Sequence, residues 1–187
     1  EIENLIGIIV SVPGVYNQKK DKLKDTNIDL WNNLSIKKKF NDFFNLPIYI
    51  ENDANIFAYY ESKEGVASSY KNILYIYNSE SSKEKEINFE DYINKYKQGN
   101  IEITAVINES ISYFTKALTG LLDFFDPELI VIGDLYNIYN RQVLNNVKKE
   151  INKNNDINYQ IIHRSIKDNI ESKAAAKYIF DNWKTNI

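Results

Sequence analysis

The chain has 187 residues, 23 Lys and Arg against 26 Asp and Glu, a formal net charge of -3, one His and no Cys. A chain of this length buries roughly 70% of its unfolded surface, so a true core is expected, as one large domain or a pair of small lobes. The mixed, nearly balanced charge excludes a strongly basic nucleic-acid face, and the lack of Cys excludes disulfides and, with a lone His163, any zinc site of the usual Cys and His type.

No run approaches the ~18 consecutive apolar residues of a membrane span, and Glu1 to Leu5 lack the basic start of a signal peptide, so a soluble, cytoplasmic chain is expected. The sequence contains no Met at all, which suggests part of a longer polypeptide.

Leu5 to Val12 is an almost continuous apolar run ended by Pro13-Gly14, the pattern of a buried strand feeding a tight turn. The polar stretch from Asn17 to Asp29 carries Lys19, Lys20, Lys22 and Lys24 broken by Asp21 and Asp25, and reads as a solvated surface loop. Ile36, Phe40, Phe43 and Phe44 recur at helical spacing, and Leu46 to Ile50 reads as a strand. Ile56, Phe57 and Tyr60 mark a second helix with Gly65 placed to end it.

Ile73 to Tyr77 is a strand candidate, followed by the polar, mobile-looking run Ser79 to Glu86 and a short helix from about Phe89 to Tyr96 that stops near Gly99. The strongest helix runs from about Ile103 to Phe125, with Ile107, Ile111, Phe114, Leu118, Leu121, Leu122 and Phe125 on one face, and Asp126-Pro127 ends it. A buried strand from Glu128 to Ile132, a turn at Gly133-Asp134, a helix marked by Val143, Val147 and Ile151, a strand from Tyr159 to Ile162 and a helix from Ala174 to Trp183 complete the chain. Strands alternating with helices indicate an α/β fold with parallel pairing.

Three short segments could carry chemistry. In Glu51-Asn52-Asp53-Ala54-Asn55, either Asn52 or Asp53 is placed to cap the following helix. A carboxylate at a strand end is also of a type that can accept a proton from a hydroxyl within hydrogen-bond reach, a step typically worth ~10²–10⁴-fold in catalysis. Pro13-Gly14 is either a simple strand-ending turn or a loop where glycine lets a ligand approach the backbone. Asp134 after Gly133 reads as an N-cap for the next helix, and its charge disfavours a nearby nucleotide phosphate. His163 reads as a structural histidine at a strand end.

Four pieces occur in a telling order: Gly7-Ile-Ile-Val-Ser-Val-Pro-Gly14, Leu46-Pro-Ile-Tyr-Ile-Glu-Asn-Asp-Ala-Asn55 with Glu61 following, Phe125-Asp-Pro-Glu-Leu-Ile-Val-Ile-Gly133, and Glu171-Ser-Lys-Ala-Ala-Ala176. Together they resemble the carboxyl-terminal portion of the ROK family of transcriptional repressors and sugar kinases, the NagC/XylR type. That resemblance implies the two-lobed actin/hexokinase-like (ribonuclease H-like) fold. Residues 1–70 would be the remainder of the first lobe with the sugar-cleft motifs, and residues 71–187 the second lobe. It also implies that Pro13, Gly14, Asn52 and Asp53 contact a sugar, that Asp53 is the general base in a kinase, and that Gly133 lies near the adenosine of ATP.

Other features of the family are not found. The amino-terminal Asp-x-Gly-x-Thr phosphate cradle is absent, and Asn78 with a Ser, Lys and Glu run stands where the second, glycine-rich cradle is expected. The Glu-x-Gly-His element and the Cys-rich zinc loop are missing from the same place; either the chain has shed this segment or the sequence is not continuous through it. Phosphoryl transfer needs such cradles and Mg²⁺.

The resemblance therefore implies first a sugar-responsive regulator, this chain being part of its effector-binding and oligomerisation region. Such a protein would be a homo-oligomer that meets DNA only through an upstream winged helix. No cofactor is expected in that case. The alternative is an ATP- and Mg²⁺-dependent sugar kinase. A third possibility is a degenerate domain kept for assembly alone.

Overall fold

The computed structural model describes residues 4–24, 26, 28–78, 89–134, 141–153, 158–165 and 170–184. In chain order the elements are β1 (Ile8–Val12), β2 (Val15–Asn17), β3 (Lys22–Lys24), α1 (Ile36–Asn41), β4 (Ile48–Asn52), α2 (Asp53–Lys63), β5 (Ile73–Asn78), α3 (Phe89–Lys97), α4 (Ile101–Phe125), β6 (Leu129–Asp134), α5 (Arg141–Lys153), β7 (Ile161–Ser165) and α6 (Ile170–Lys184). They form two compact units, Glu1–Ser68 with Asp168–Ile187, and Ser69–Lys167. Within the first unit α6 packs mainly on α2.

In the first unit β1 and β4 pair in parallel, with Ile8 opposite Ile48 and Val12 opposite Asn52. Val12, Ile48 and Ile50 are buried together with Leu23 and Ile36. The polar stretch after Asn17 is not the loop its lysines suggested. Lys22–Lys24 pairs antiparallel with Val15–Asn17, and Leu23 points into the core with no exposed surface. A single buried Leu among lysines leaves no periodicity to read, so pairing decided the strand where pattern could not.

Asp21, in the left-handed region at φ 47°, turns this hairpin back on α1. Its carboxylate accepts from Lys37 N at 2.9 Å, from Lys38 N at 3.0 Å and from the Tyr16 hydroxyl at 2.8 Å. Burial pushes its pKa up, but the Lys38 N–H, the Tyr16 hydroxyl and the Lys37 N–H prevail and hold it below the usual carboxylate range. Of the aromatics expected on α1, Phe43 and Phe44 lie beyond the helix and are exposed, and Ile36 is its buried residue.

The second unit is a parallel sheet in the order β5-β6-β7. Its central strand is covered on both faces, which is why Leu129, Ile130, Val131 and Ile132 are all apolar and fully buried. Each such side chain contributes about 1.5–3 kcal/mol relative to exposure. On one face α4 supplies Ile111, Leu118 and Leu122, and α5 supplies Val143, Val147 and Ile151. Leu121 and Phe125, expected on the core face of α4, lie at its edge and are partly exposed.

The end of α4 is fixed by Asp126, whose left-handed φ of 41° stops the helix, and by Asn72, whose amide donates to the carbonyls of Phe125 and Asp126. The strand expected from Tyr159 starts at Ile161, with Tyr159 buried just before it. His163 lies mid-strand opposite Ile132 rather than at a strand end. The polar run Ser79 to Glu86 lies outside the described residues. No helix among the described residues is long and apolar enough to cross a membrane.

Gly133 on β6 lies so close to Tyr75 that an added Cβ would collide with the Tyr75 ring and its hydroxyl. Gly133→Ala is expected to cost about 1–3 kcal/mol through overpacking, seen as a lower midpoint in urea unfolding with an unchanged slope. An unchanged midpoint would show that the Tyr75 ring moves aside freely.

Candidate functional site

The site is assembled at the carboxyl ends of β1 and β4, which the parallel register brings side by side: Val12 pairs with Asn52, and Pro13-Gly14 continues from one strand as Asp53 continues from the other. In open α/β sheets this is where ligands sit. Gly14 has φ 130°, a backbone region that L side chains rarely adopt, so glycine is required by the turn itself.

Asn52 joins the two segments. Its Nδ2 donates to the Gly14 carbonyl at 2.8 Å, and its Oδ1 accepts from Ala54 N at 2.9 Å and Asn55 N at 3.4 Å, which makes Asn52 the N-cap of α2. The choice that the sequence left open is thereby resolved, since Asp53 is the first helical residue. The Asn52 acceptor is already used by the cap, so what this amide can still offer a ligand is an N–H.

Asp53 Oδ1 accepts from Ala54 N at 2.8 Å. The carboxyl is about half-buried, and burial pushes its pKa up, against the opposing pull of the Ala54 and Asp53 N–H groups. A carboxylate of this kind suits accepting a hydrogen bond or a proton from a hydroxyl.

Glu51 adds a layer that sequence reasoning missed. Its Oε1 accepts from Asn52 N at 2.9 Å and from Asn55 Nδ2 at 2.8 Å, while its Oε2 accepts the Tyr178 hydroxyl of α6 at 3.1 Å. Burial, with the Glu51 charge adding to it, pushes the Tyr178 phenol up to about 12. Tyr178 packs edge-on against Tyr59, whose hydroxyl donates to Asp181 at 2.8 Å. A contact across more than a hundred residues of chain has no local signal. Glu61, which the motif carried along, is buried and turned the other way, accepting from Val66 N at 2.8 Å at the far end of α2.

Gly133 lies in the second unit and closes on Tyr75. Asp134, expected from sequence as an N-cap, is the last residue of β6, paired with Asn78 and Ser165, and residues 135–140 that follow it lie outside the described residues.

Residues 1–80 match the model of the ROK family. The chain is also 21% identical over 239 residues to the Xylose repressor of Bacillus subtilis (strain 168), with 96% of this chain and 62% of that protein covered. The family match thus lies in the first 80 residues, which hold both Pro13-Gly14 and the Asn52-Asp53 corner.

The match to the repressor is longer than the chain's 187 residues, so the repressor holds residues within the matched span that have no counterpart here. The chain spans under two thirds of that relative's length. The fold is the actin/hexokinase-like one of ROK kinases and regulators. The solved ROK family transcriptional regulator described as a homolog of the E. coli MLC protein superposes with a TM-score of 0.75 at 14% identity, over 95% of this chain and 62% of that one. The ROK hexokinase from Thermus thermophilus superposes with a TM-score of 0.73 at 13% identity, over 96% and 80%.

The raised pKa of Asp53 has a measurable consequence. A carboxyl easier to protonate when folded contributes stability that is fully present below the unfolded value, 3.8, and is lost as pH rises through the folded value. Thermal melts from about pH 3 to about pH 8 are therefore expected to show Asp53→Asn gaining on wild type as pH rises and converging with it in acid. An advantage for wild type that grows toward neutral pH would mean that the carboxylate is stabilised in the fold.

Proposed function

We propose that this chain is part of a sugar-responsive transcriptional regulator of the ROK type, and that the Gly14, Asn52 and Asp53 corner of the first unit is its effector contact. The observation that carries the proposal is the Asn52 bridge to the Gly14 carbonyl, which holds the turn and the half-buried Asp53 carboxylate together where a polyol could reach both. Asn52 would donate its remaining N–H to one hydroxyl and Asp53 would accept from the next, a pairing suited to adjacent sugar hydroxyls. Pro13 would fix the entry to the turn.

D-xylose is the first ligand to try, because the curated relative is named a xylose repressor. DNA contact would belong to a winged-helix segment, which the family resemblance places upstream. The kinase reading is the alternative, with Asp53 as general base and Gly133 near ATP. Against it stand Asp134 beside Gly133 and the absence of a glycine-rich turn after Asn78. Both reduce the means of neutralising charge on a transferring phosphoryl group.

Calorimetric titration of the full-length protein against D-xylose, glucose, fructose and amino sugars tests the assignment. At least one sugar is expected to bind, and Asp53→Asn to weaken it about ten-fold, the difference between a charge-assisted and a neutral hydrogen bond. No ATP consumption should accompany binding. Equal affinity in the variant would remove Asp53 from the contact, and sugar-dependent turnover abolished by Asp53→Asn would establish the kinase instead.

A further inference from the structure

Where α4 packs beside α5 in the second unit, the two helices leave between them an open cavity of about 410 Å³, within the size range of small-molecule sites. Each helix turns the same pattern of polar residues toward it. Ser112, Thr115 and Lys116 come from α4, and Asn146, Lys149 and Glu150 from α5, so both sets follow the i, i+3, i+4 spacing that puts side chains on one face. The wall thus holds two ammonium groups against one carboxylate, together with two hydroxyls.

Thr115 distinguishes this cavity from an ordinary polar seam between helices. The residue is only 6% exposed, yet its Oγ1 has no hydrogen-bond partner among the described residues. A helical threonine ordinarily satisfies such a hydroxyl on a carbonyl one turn back. Here the hydroxyl makes no such bond, while the Thr115 carbonyl accepts from the Thr119 hydroxyl at 2.9 Å. Leaving a buried hydroxyl unbonded is unfavourable. Threonine has two rotamers open to it in a helix, so this group can turn toward an occupant without disturbing the backbone.

The other wall residues are also available. Among the described residues neither lysine forms an ion pair, and Lys116 rests against the Tyr113 ring with Nζ 5.8 Å from the centroid, a contact that can be exchanged. Asn146 commits its Nδ2 to the Tyr96 hydroxyl at 3.2 Å, which holds the amide in place and leaves its Oδ1 as an acceptor. Glu150 supplies a second acceptor.

We propose that this groove binds a small hydroxylated anion. Lys116, Lys149 and the Ser112 and Thr115 hydroxyls would hold its phosphate or carboxylate head, and its hydroxyl groups would donate to Asn146 Oδ1 and Glu150. The excess of charged donors calls for an anionic head, since charge-assisted hydrogen bonds are the strong ones. The two acceptors call for hydroxyls, which a bare inorganic anion lacks. The site lies wholly within the second unit and does not depend on the sugar reading of the Asp53 corner.

Amide-resolved NMR titration of the intact protein with glycerol 3-phosphate, glycerate, inorganic phosphate and neutral glycerol tests the proposal. At least one of the two hydroxylated anions is expected to shift the amides of Ser112, Thr115 and Lys149 together, with one affinity, and the tighter of the two identifies the head group. Inorganic phosphate should bind about ten-fold more weakly for want of the hydroxyl contacts, and glycerol should not bind. Thr115→Val is expected to weaken the anion about ten-fold without lowering the melting temperature, because the hydroxyl it removes has no partner in the empty fold. Lys149→Glu, at an exposed position, should abolish binding while keeping the circular dichroism. No saturable shift with either hydroxylated anion, or binding that survives Lys149→Glu, overturns the site. An affinity unchanged by Thr115→Val overturns the part given to Thr115, and inorganic phosphate binding as tightly as the hydroxylated anions overturns the part given to Asn146 and Glu150.

Discussion

The first unit turns on the side chain of Asn52. With one amide it caps α2, through Ala54 N and Asn55 N, and holds the Gly14 carbonyl 2.8 Å away on the neighbouring strand's turn. An N-cap is worth about 1 kcal/mol and a buried amide bond a similar amount. Losing Asn52 would therefore both fray the helix and release the turn, and the Asp53 carboxyl, attached to both, would lose its position. Glu51 steadies the arrangement from behind by accepting from Asn52 N and from Tyr178, so the corner is braced by α6 although α6 follows it by more than a hundred residues.

The second unit rests on a different constraint, the double coverage of β6. Because helices and neighbouring strands close over Leu129 to Ile132, the strand must be apolar throughout, and the adjacent Gly133 must remain without a side chain against Tyr75. The glycine that the family resemblance associates with a nucleotide thus already has a packing reason to be glycine.

What could be read from the sequence divides along the same physical lines. The strands β1, β4, β5 and β6 and the helices α2, α4 and α5 were legible because long-range burial repeats at the period of the element, as Val143, Val147 and Ile151 do on α5. The Asn52 and Asp53 corner was legible as a pair, since both capping and ligand contact call for the same residue types at a strand end. Three features were not. The β2–β3 hairpin hides one buried Leu23 among lysines, the Glu51 to Tyr178 bond has no local trace, and the roles of Asn52 and Asp53 exchange with a shift of one residue in the helix start. Helix starts are the least certain feature of any pattern, so that last distinction needed geometry.

The sugar assignment is tested most directly by following individual groups. In amide-resolved NMR spectra of the protein titrated with D-xylose, glucose and N-acetylmannosamine, the side-chain amide of Asn52 and the backbone amides of Gly14 and Asp53 should shift together, with one affinity, for any sugar that binds. The amides of Tyr113 to Phe124 on α4 should stay in place. Shifts confined to the second unit, or none with any sugar, would contradict the account.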